Sequence, residues 1–283
     1  MSRSYTLVID CPDRPGIVYS VSRIIFENDG NILESRQFED RETGRFFLRV
    51  VFESGCDQAV LADAVATLGE GFDMDWKLVP TNQPVKVLIL VSKFDHCLAH
   101  LLYKVRIGEI PIEIVGIASN HPAAALTATD IRDIPFHHLP VTPDTKAQQE
   151  ASIKALVKDS GAELVVLARY MQILSDDLAA HLSGRCINIH HSFLPSFKGA
   201  KPYHQAHAHG VKMIGATAHY VTADLDEGPI IHQGVESVTH EDSPDDLIRK
   251  GREVENQVLG QAVAWHVAHR VIRNGRKTVV FKG

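Results

Sequence analysis

Several things are scarce in this 283-residue chain, and each scarcity closes off a class of function. Four cysteines, Cys11, Cys56, Cys97 and Cys186, stand far apart with no C-x-x-C pair, which excludes a disulfide-stapled scaffold and a cysteine-rich zinc module. No apolar run approaches the ~20 residues that cross a bilayer, and no secretory leader is visible, so a reducing cytoplasm is the expected compartment. Neither sign of charge is gathered into runs, and the formal net charge is only -6. That leaves no electrostatic footprint for nucleic acid or an anionic membrane, and small molecules are the expected partners. There is no G-x-S-x-G elbow to carry a nucleophilic serine.

What is present falls into two stretches of different rhythm. In the first, residues 5–9 read as a strand and 10–15 as a turn-rich break. Ile17, Val18, Val21, Ile24 and Ile25 then recur at helical spacing until Asn28-Asp29-Gly30 stops the helix. Residues 32–38 and 45–52 alternate as strands around Arg41-Glu42-Thr43-Gly44, a hairpin signal. A helix near 58–68 and a strand near 74–78 complete the β-α-β-β-α-β order of a ferredoxin-like sandwich. The segments Asp13-Arg14-Pro15-Gly16-Ile17-Val18 and Asn28-Asp29-Gly30-Asn31-Ile32 resemble the ACT domains that sense amino acids in metabolic enzymes. The resemblance implies a homo-oligomer with amino-acid effectors, glycine or methionine, and Asp13, Asn28 and Asn31 as polar contacts. The expected division is an ACT-like domain over 1–80, a linker over 81–84 and a second domain over 85–283.

The second domain opens with a continuous apolar run, 85–91, as expected of a strand buried on both faces of a parallel sheet. A helix at 98–107, strands at 112–118 and 136–139, a helix at 147–159 and a strand at 164–167 alternate, which predicts a doubly wound α/β domain with a mostly parallel sheet. Strands at 213–221 and 230–237 follow. Ser243-Pro244-Asp245-Asp246 then starts a helix expected to run to about 273, before a closing strand at 278–281.

The stretch 186–210 carries the chemistry. A period of two on a strand at 186–189 turns Asn188 and His190 to one side and Ile187 and Ile189 to the other. The loop after it is broken by Pro195, Gly199 and Pro202 and carries Ser192, Ser196 and Lys198. Downstream, the turn 223–229 holds Asp224, Asp226 and Glu227. Asp224 and Glu227 read as solvated. Asp226 matters if it faces Asn188 and His190, as parallel strands at the sheet centre would allow. On residue types alone, an Asn and a His at i and i+2 serve equally as satisfied core groups. His204, His207 and His209 lie at i, i+3 and i+5 of a short helix and cannot share one face, so no metal is expected.

Asn188-Ile-His190, the block Ser192-Phe-Leu-Pro-Ser-Phe-Lys-Gly, His219-Tyr-Val-Thr222 and Leu225-Asp226-Glu-Gly-Pro229 resemble the catalytic blocks of 10-formyltetrahydrofolate enzymes, the glycinamide ribonucleotide transformylase family. With the ACT-like domain in front, the chain looks like the hydrolytic branch of that family. The resemblance implies an Asn188–His190–Asp226 catalytic set. It also implies a folate pocket that includes the segment Arg169-Tyr170-Met171-Gln172-Ile173-Leu174, whose backbone would hydrogen-bond the pterin, with Ser192, His219, Thr222, Ala223 and Asp224. The implied reaction is hydrolysis of 10-formyltetrahydrofolate to formate and tetrahydrofolate, balancing the one-carbon pool and supplying formate for purine synthesis, with no cofactor. Such hydrolysis needs donors for a developing oxyanion and a group that positions water and moves its proton, roles open to Asn188, His190 and Asp226. The loop after the first strand, Ser92-Lys93-Phe94-Asp95-His96-Cys97, lacks the glycines of a phosphate cradle, which favours water over a ribonucleotide acceptor, although Lys93 and His96 could still meet an anion. A formyltransferase acting on another amine, and a folate or amino-acid sensor without turnover, are the alternatives.

Overall fold

The computed structural model describes residues 2–81, 83–131, 133–193 and 202–282, with backbone alone at Pro202. Contacts divide the chain into two units: Met1–Gln83 with Trp265–Asn274 and Thr278–Gly283, and Pro84–Ala264 with Gly275–Lys277.

In the first unit, alternating apolar strands and two amphipathic helices give β1 (Arg3–Pro12), α1 (Ile17–Glu27), β2 (Asn31–Asp40), β3 (Arg45–Ser54), α2 (Gln58–Phe72) and β4 (Asp75–Pro80). The sheet order is β2-β3-β1-β4, and its pairs are antiparallel. Ile17, Val21 and Ile25 of α1 and Leu61 and Val65 of α2 lie against Leu7, Ile9, Leu48, Val50 and Phe52 of the sheet, which is the sandwich core. Gly30 is required where α1 turns into β2, because a Cβ there would come within 2.6 Å of the Ile25 carbonyl oxygen. Strand β2 is an edge with Ile32, Leu33 and Phe38 exposed, and α1 exposes Val18, Tyr19 and Phe26.

The second unit is built on β5 (Val85–Val91), α3 (His96–Arg106), β6 (Ile112–Ser119), β7 (Phe136–His138), α4 (Lys146–Ser160), β8 (Leu164–Leu167), α5 (Asp176–His181), β9 (Cys186–His190), α6 (Pro202–Ala208), β10 (Met213–Tyr220), β11 (Ile230–Ser237) and α7 (Pro244–Val267). Sheet order is β11-β10-β9-β8-β5-β6-β7. Strands β7, β6, β5, β8 and β9 are parallel, and β10 and β11 add antiparallel pairs. The apolar run of β5 is fully buried from Val87 to Val91, as its composition requires of a central strand. Chain order reverses direction between β5 and β8, so the crevice for a ligand opens beyond the carboxyl ends of those two strands.

Two expectations are corrected here. Helix α7 ends at Val267, not near 273, and β12 (Val271–Asn274) and β13 (Lys277–Val280) form a hairpin. His269 adopts a left-handed φ of 52°, which stops the helix, and Gly275, at φ 60° after Asn274, supplies the tight turn that an Asn-Gly pair encodes. The hairpin also groups largely with the first unit. Ile272, Val279 and Phe281 pack with Val8 and Phe47 on the sheet face away from α1 and α2. The Arg270 guanidinium donates to Glu34 at 3.0 and 3.1 Å, and Arg49 donates to Glu34 at 2.9 Å. Short α5, absent from the sequence reading, is started by Ser175, whose hydroxyl accepts from the Leu178 N–H.

Candidate active site

The alternation of β9 sets the first two groups: Ile187 and Ile189 are buried on one side, while Asn188 and His190 are partly open on the other, where Cys186 at the start of the strand is buried. Antiparallel pairing with β10 places His219 opposite Asn188. The arrangement therefore rests on an antiparallel pair, not on the parallel strands expected to carry it. A bulge in β11 at Ile231, opposite Ala218 and His219 of β10, disturbs the pairing of the two strands next to the turn that carries Asp226. Gly228 closes that turn where a Cβ would lie 1.7 Å from the Tyr220 carbonyl oxygen, so no other residue fits. Asp226 sits at a left-handed φ of 58°, a conformation that an aspartate tolerates better than most side chains.

That turn delivers the Asp226 carboxylate to two imidazoles, 3.2 Å from Nδ1 of His190 and 3.6 Å from Nε2 of His219. Nδ1 of His219 lies 2.9 Å from the Tyr220 carbonyl oxygen, which can only accept, so that nitrogen carries a proton. Nε2 is then the acceptor for Nδ2 of Asn188 at 3.2 Å, leaving the amide a second N–H to give. Burial pushes the Asp226 carboxyl up, but the hydrogen bond and positive charge of His190 outweigh it and hold the group well below the usual carboxylate range. His191 stacks on His190 at 5.0 Å, and burial beside the Arg169 and His190 charges lowers it to about 4.

The opposite wall is the segment after β8. Ser92, at the end of β5, donates its hydroxyl to Asn120 at 2.7 Å, accepts from the Met171 N–H at 2.9 Å and gives its own N–H to the Arg169 carbonyl at 3.3 Å. Tyr170 turns inward and is buried, whereas Met171 and Ile173 stay exposed on the rim, as does Leu225 across the cleft. The cleft, about 870 Å³ and open to solvent, is lined by residues 167, 169–174, 188–191, 219 and 221–226.

Beneath it lies a buried charge cluster. Glu255, 1% exposed, accepts from Tyr203 Oη at 2.6 Å and His96 Nε2 at 2.8 Å, with Arg169 Nε 3.2 Å away. Burial would raise this carboxyl, yet the His96 hydrogen bond and the Arg169 charge bring it below its usual value. His96, Cys97 and Glu255 are a metal-ligand-type group among the described residues. They suit a cation poorly: burial pushes the Cys97 thiol well up, away from the thiolate a metal needs, and Glu255 is already engaged by three neighbours.

Comparison with known proteins gives the same picture. A Formyl transferase profile matches residues 85–263 and an ACT domain profile residues 5–68. A formyltetrahydrofolate deformylase of Corynebacterium sp. (strain P-1) is 50% identical over 282 residues, 98% of each chain. The chain belongs to the formyltetrahydrofolate deformylase family. A solved deformylase from Burkholderia mallei superposes with a TM-score of 0.94 at 49% identity, covering 99% of this chain and 100% of that one. A glycinamide ribonucleotide transformylase from Symbiobacterium toebii matches at TM-score 0.65 and 28% identity, covering 70% of this chain and 95% of its own.

Of the site residues expected for such a family member, Asn188, His190 and Asp226 converge on the cleft, and Tyr170, Met171, Gln172, Ile173, His219, Thr222, Ala223 and Asp224 line it. Ser192 is not among the lining residues, and its carbonyl accepts from Thr217 at 2.9 Å. His219 is 2% exposed and acts on its neighbours. Ser196 and Lys198 lie outside the described residues. In the first unit, Asp13 follows β1, while Asn28 and Asn31 lie at the far end of α1, where the Asn28 amide donates to the Ile24 carbonyl. One copy does not bring the three together. His191 and Glu255 escaped the sequence reading, in which Arg169 counted only for its backbone in the folate segment and Ser92 only as part of the loop after the first strand. The signal for Glu255 was present: it heads an apolar stripe with Val258, Leu259 and Ala262 at i+3, i+4 and i+7, the buried face of α7.

Proposed function

We infer that the chain hydrolyses 10-formyltetrahydrofolate to formate and tetrahydrofolate, with water as the formyl acceptor. The observation that carries this reading is the convergence of Asn188, His190 and ionised Asp226 on one cleft. The exposed apolar rim of Met171, Ile173 and Leu225 suits a flat ring system, and the 170–174 backbone offers it hydrogen-bonding groups. The formyl group enters between Asn188 and His190. As water adds to the formyl carbon, negative charge on oxygen meets the second Asn188 N–H and the His190 ring. Asp226 fixes the His190 orientation and holds the attacking water. The proton released from water is shared by that pair and reaches N10 as the C–N bond breaks. His219 keeps the Asn188 amide in place. These steps call for no metal or organic cofactor.

The loop after β5 supports water over a phosphate-bearing acceptor. Its Asp95 carboxylate accepts from the Ala128 N–H at 2.8 Å and the Thr129 hydroxyl at 2.9 Å, and His96 is tied to Glu255. Two buried acids stand where a phosphate would need N–H groups. The test is formate release by the purified full chain with no acceptor present: equimolar formate and tetrahydrofolate are expected, and an absolute requirement for an added amine would overturn the reading.

Regulation and assembly follow from the first unit. The long β2 edge with Ile32, Leu33 and Phe38, beside Val18, Tyr19 and Phe26 of α1, supports a homo-oligomer. A second copy would be needed to bring Asp13 to Asn28 and Asn31, and glycine or methionine is the effector proposed there. Calorimetric titration of the full chain with each amino acid tests this, and the absence of binding to millimolar concentrations would refute it. Free thiols at all four cysteines suit a cytoplasmic location, and no described helix is long and apolar enough to cross a membrane.

A further inference from the structure

An arginine guanidinium carries five N–H donors and is rarely buried without acceptors for them. The Arg169 side chain is only 10% exposed, yet its Nε and Nη1 have no hydrogen-bond partner among the described residues. Its counter-charge is Glu255, but the 3.2 Å approach of Nε to that carboxylate lacks hydrogen-bond geometry, and both Glu255 oxygens are engaged by Tyr203 and His96. The backbone at Arg169 is left-handed, φ 64°, which is costly for a long side chain. The Ser92 N–H holds the Arg169 carbonyl in that turn. The result is an under-bonded cation in the wall of the cleft that also presents Asn188, His190 and Asp226.

We propose that Arg169 is the product-binding residue of the site, its guanidinium receiving the carboxylate of formate. This rests on hydrolysis as the reaction. Water oxygen bonds to the formyl carbon, the C–N bond breaks, N10 gains a proton, and the second proton liberated leaves formic acid as its planar anion. A planar carboxylate fits the guanidinium fork, and the unmatched N–H groups are of the kind such an anion satisfies. Asp226 repels the same anion, so Arg169 gives it a place apart from the acid that must bind the next water. Glu255 sets the strength: a fully paired Arg169 would not take formate, and an unopposed one would hold it too long.

The test is titration of the full chain with 13C-formate, read by NMR line broadening, on wild type, Arg169→Lys and Glu255→Gln. Arg169→Lys keeps a cation and loses the fork, and its formate affinity is expected to fall roughly 10-fold or more, the scale of a lost charge-assisted hydrogen bond. Glu255→Gln removes the competing charge and is expected to tighten formate binding. A merely structural Arg169–Glu255 pair would make both variants shift in the same direction, and that result overturns the proposal. So does formate that fails to bind wild type, or that binds Arg169→Lys equally well, which would mark the orphaned N–H groups as sites for ordered water only. Acceptor-free formate release is measured on the same wild-type preparation. If release occurs and binding is absent, the product site alone falls; if there is no release, the hydrolytic reading falls first.

Discussion

Replacing Asp226 by Asn removes one charge and little else. Asparagine has nearly the same shape and is at home in the left-handed backbone that Asp226 adopts at φ 58°, so the turn closed by Gly228 survives. What is lost is the carboxylate 3.2 Å from His190 Nδ1. At an effective dielectric near 20 a charge pair at that distance is worth roughly 5 kcal/mol, and a side chain 26% exposed keeps about half of that or more. At about 1.4 kcal/mol per decade this amounts to a fall in kcat of about 10²- to 10⁴-fold, the range of a lost acid–base group. The apolar rim and the 170–174 segment are untouched, so folate affinity is expected to change by less than about 3-fold. The assay is steady-state formate release together with folate binding by fluorescence on each variant. A kcat within 5-fold of wild type, or equal losses in binding and turnover, would show that Asp226 holds the turn and does not serve the reaction.

His190→Ala takes away one oxyanion donor and the partner of Asp226, and kcat should fall by about 10²- to 10³-fold in the same assay. Gly228→Ala forces a methyl group onto the Tyr220 carbonyl, where 1.7 Å is available; a destabilisation of roughly 2–4 kcal/mol is expected in urea unfolding, with the turn displaced. Stability should also decline as pH falls from about 6.5 to about 4. His191 and His269, lowered to about 4 by burial and neighbouring positive charge, stay neutral in the folded chain while the unfolded chain takes up protons at the ordinary value of 6.5. Asp226 acts in the same direction at lower pH: its stabilising contribution is present above the ordinary carboxylate value and is lost as pH falls below it. His269→Asn, which tolerates the local φ of 52°, should flatten the decline between pH 6.5 and 4, and an unchanged slope would assign it elsewhere.

Fold and site were legible in the sequence to different depths. The period-two strand and the fully apolar strand announced β9 and β5, because burial on one face or on two leaves a direct pattern in residue type. Asn188, His190 and Asp226 were legible through their blocks, but the way Asp226 reaches them was not: antiparallel β10 and the bulge in β11 beside it are set by register, which single residues do not declare. The first strand of the C-terminal hairpin was lost inside a helical reading, although its second was expected as a closing strand, since Val271 and Ile272 continue an apolar spacing and only Asn274-Gly275 speaks against it. The pairing of Arg169 with Glu255 was the hardest to see. Their importance comes from being buried together across 86 positions of sequence, 255 − 169, and a charge in a sequence reads as solvated until its surroundings are known.

The central claim is that water, not an amine, takes the formyl group. Turnover of 10-formyltetrahydrofolate by the full chain in water enriched in oxygen-18, with glycinamide ribonucleotide present at saturating concentration, tests it most directly. The account predicts formate carrying one oxygen-18 atom per molecule, in amounts equal to the tetrahydrofolate formed, with the ribonucleotide unformylated. Formylated ribonucleotide appearing at a rate comparable with formate, or formate without the label, would contradict it.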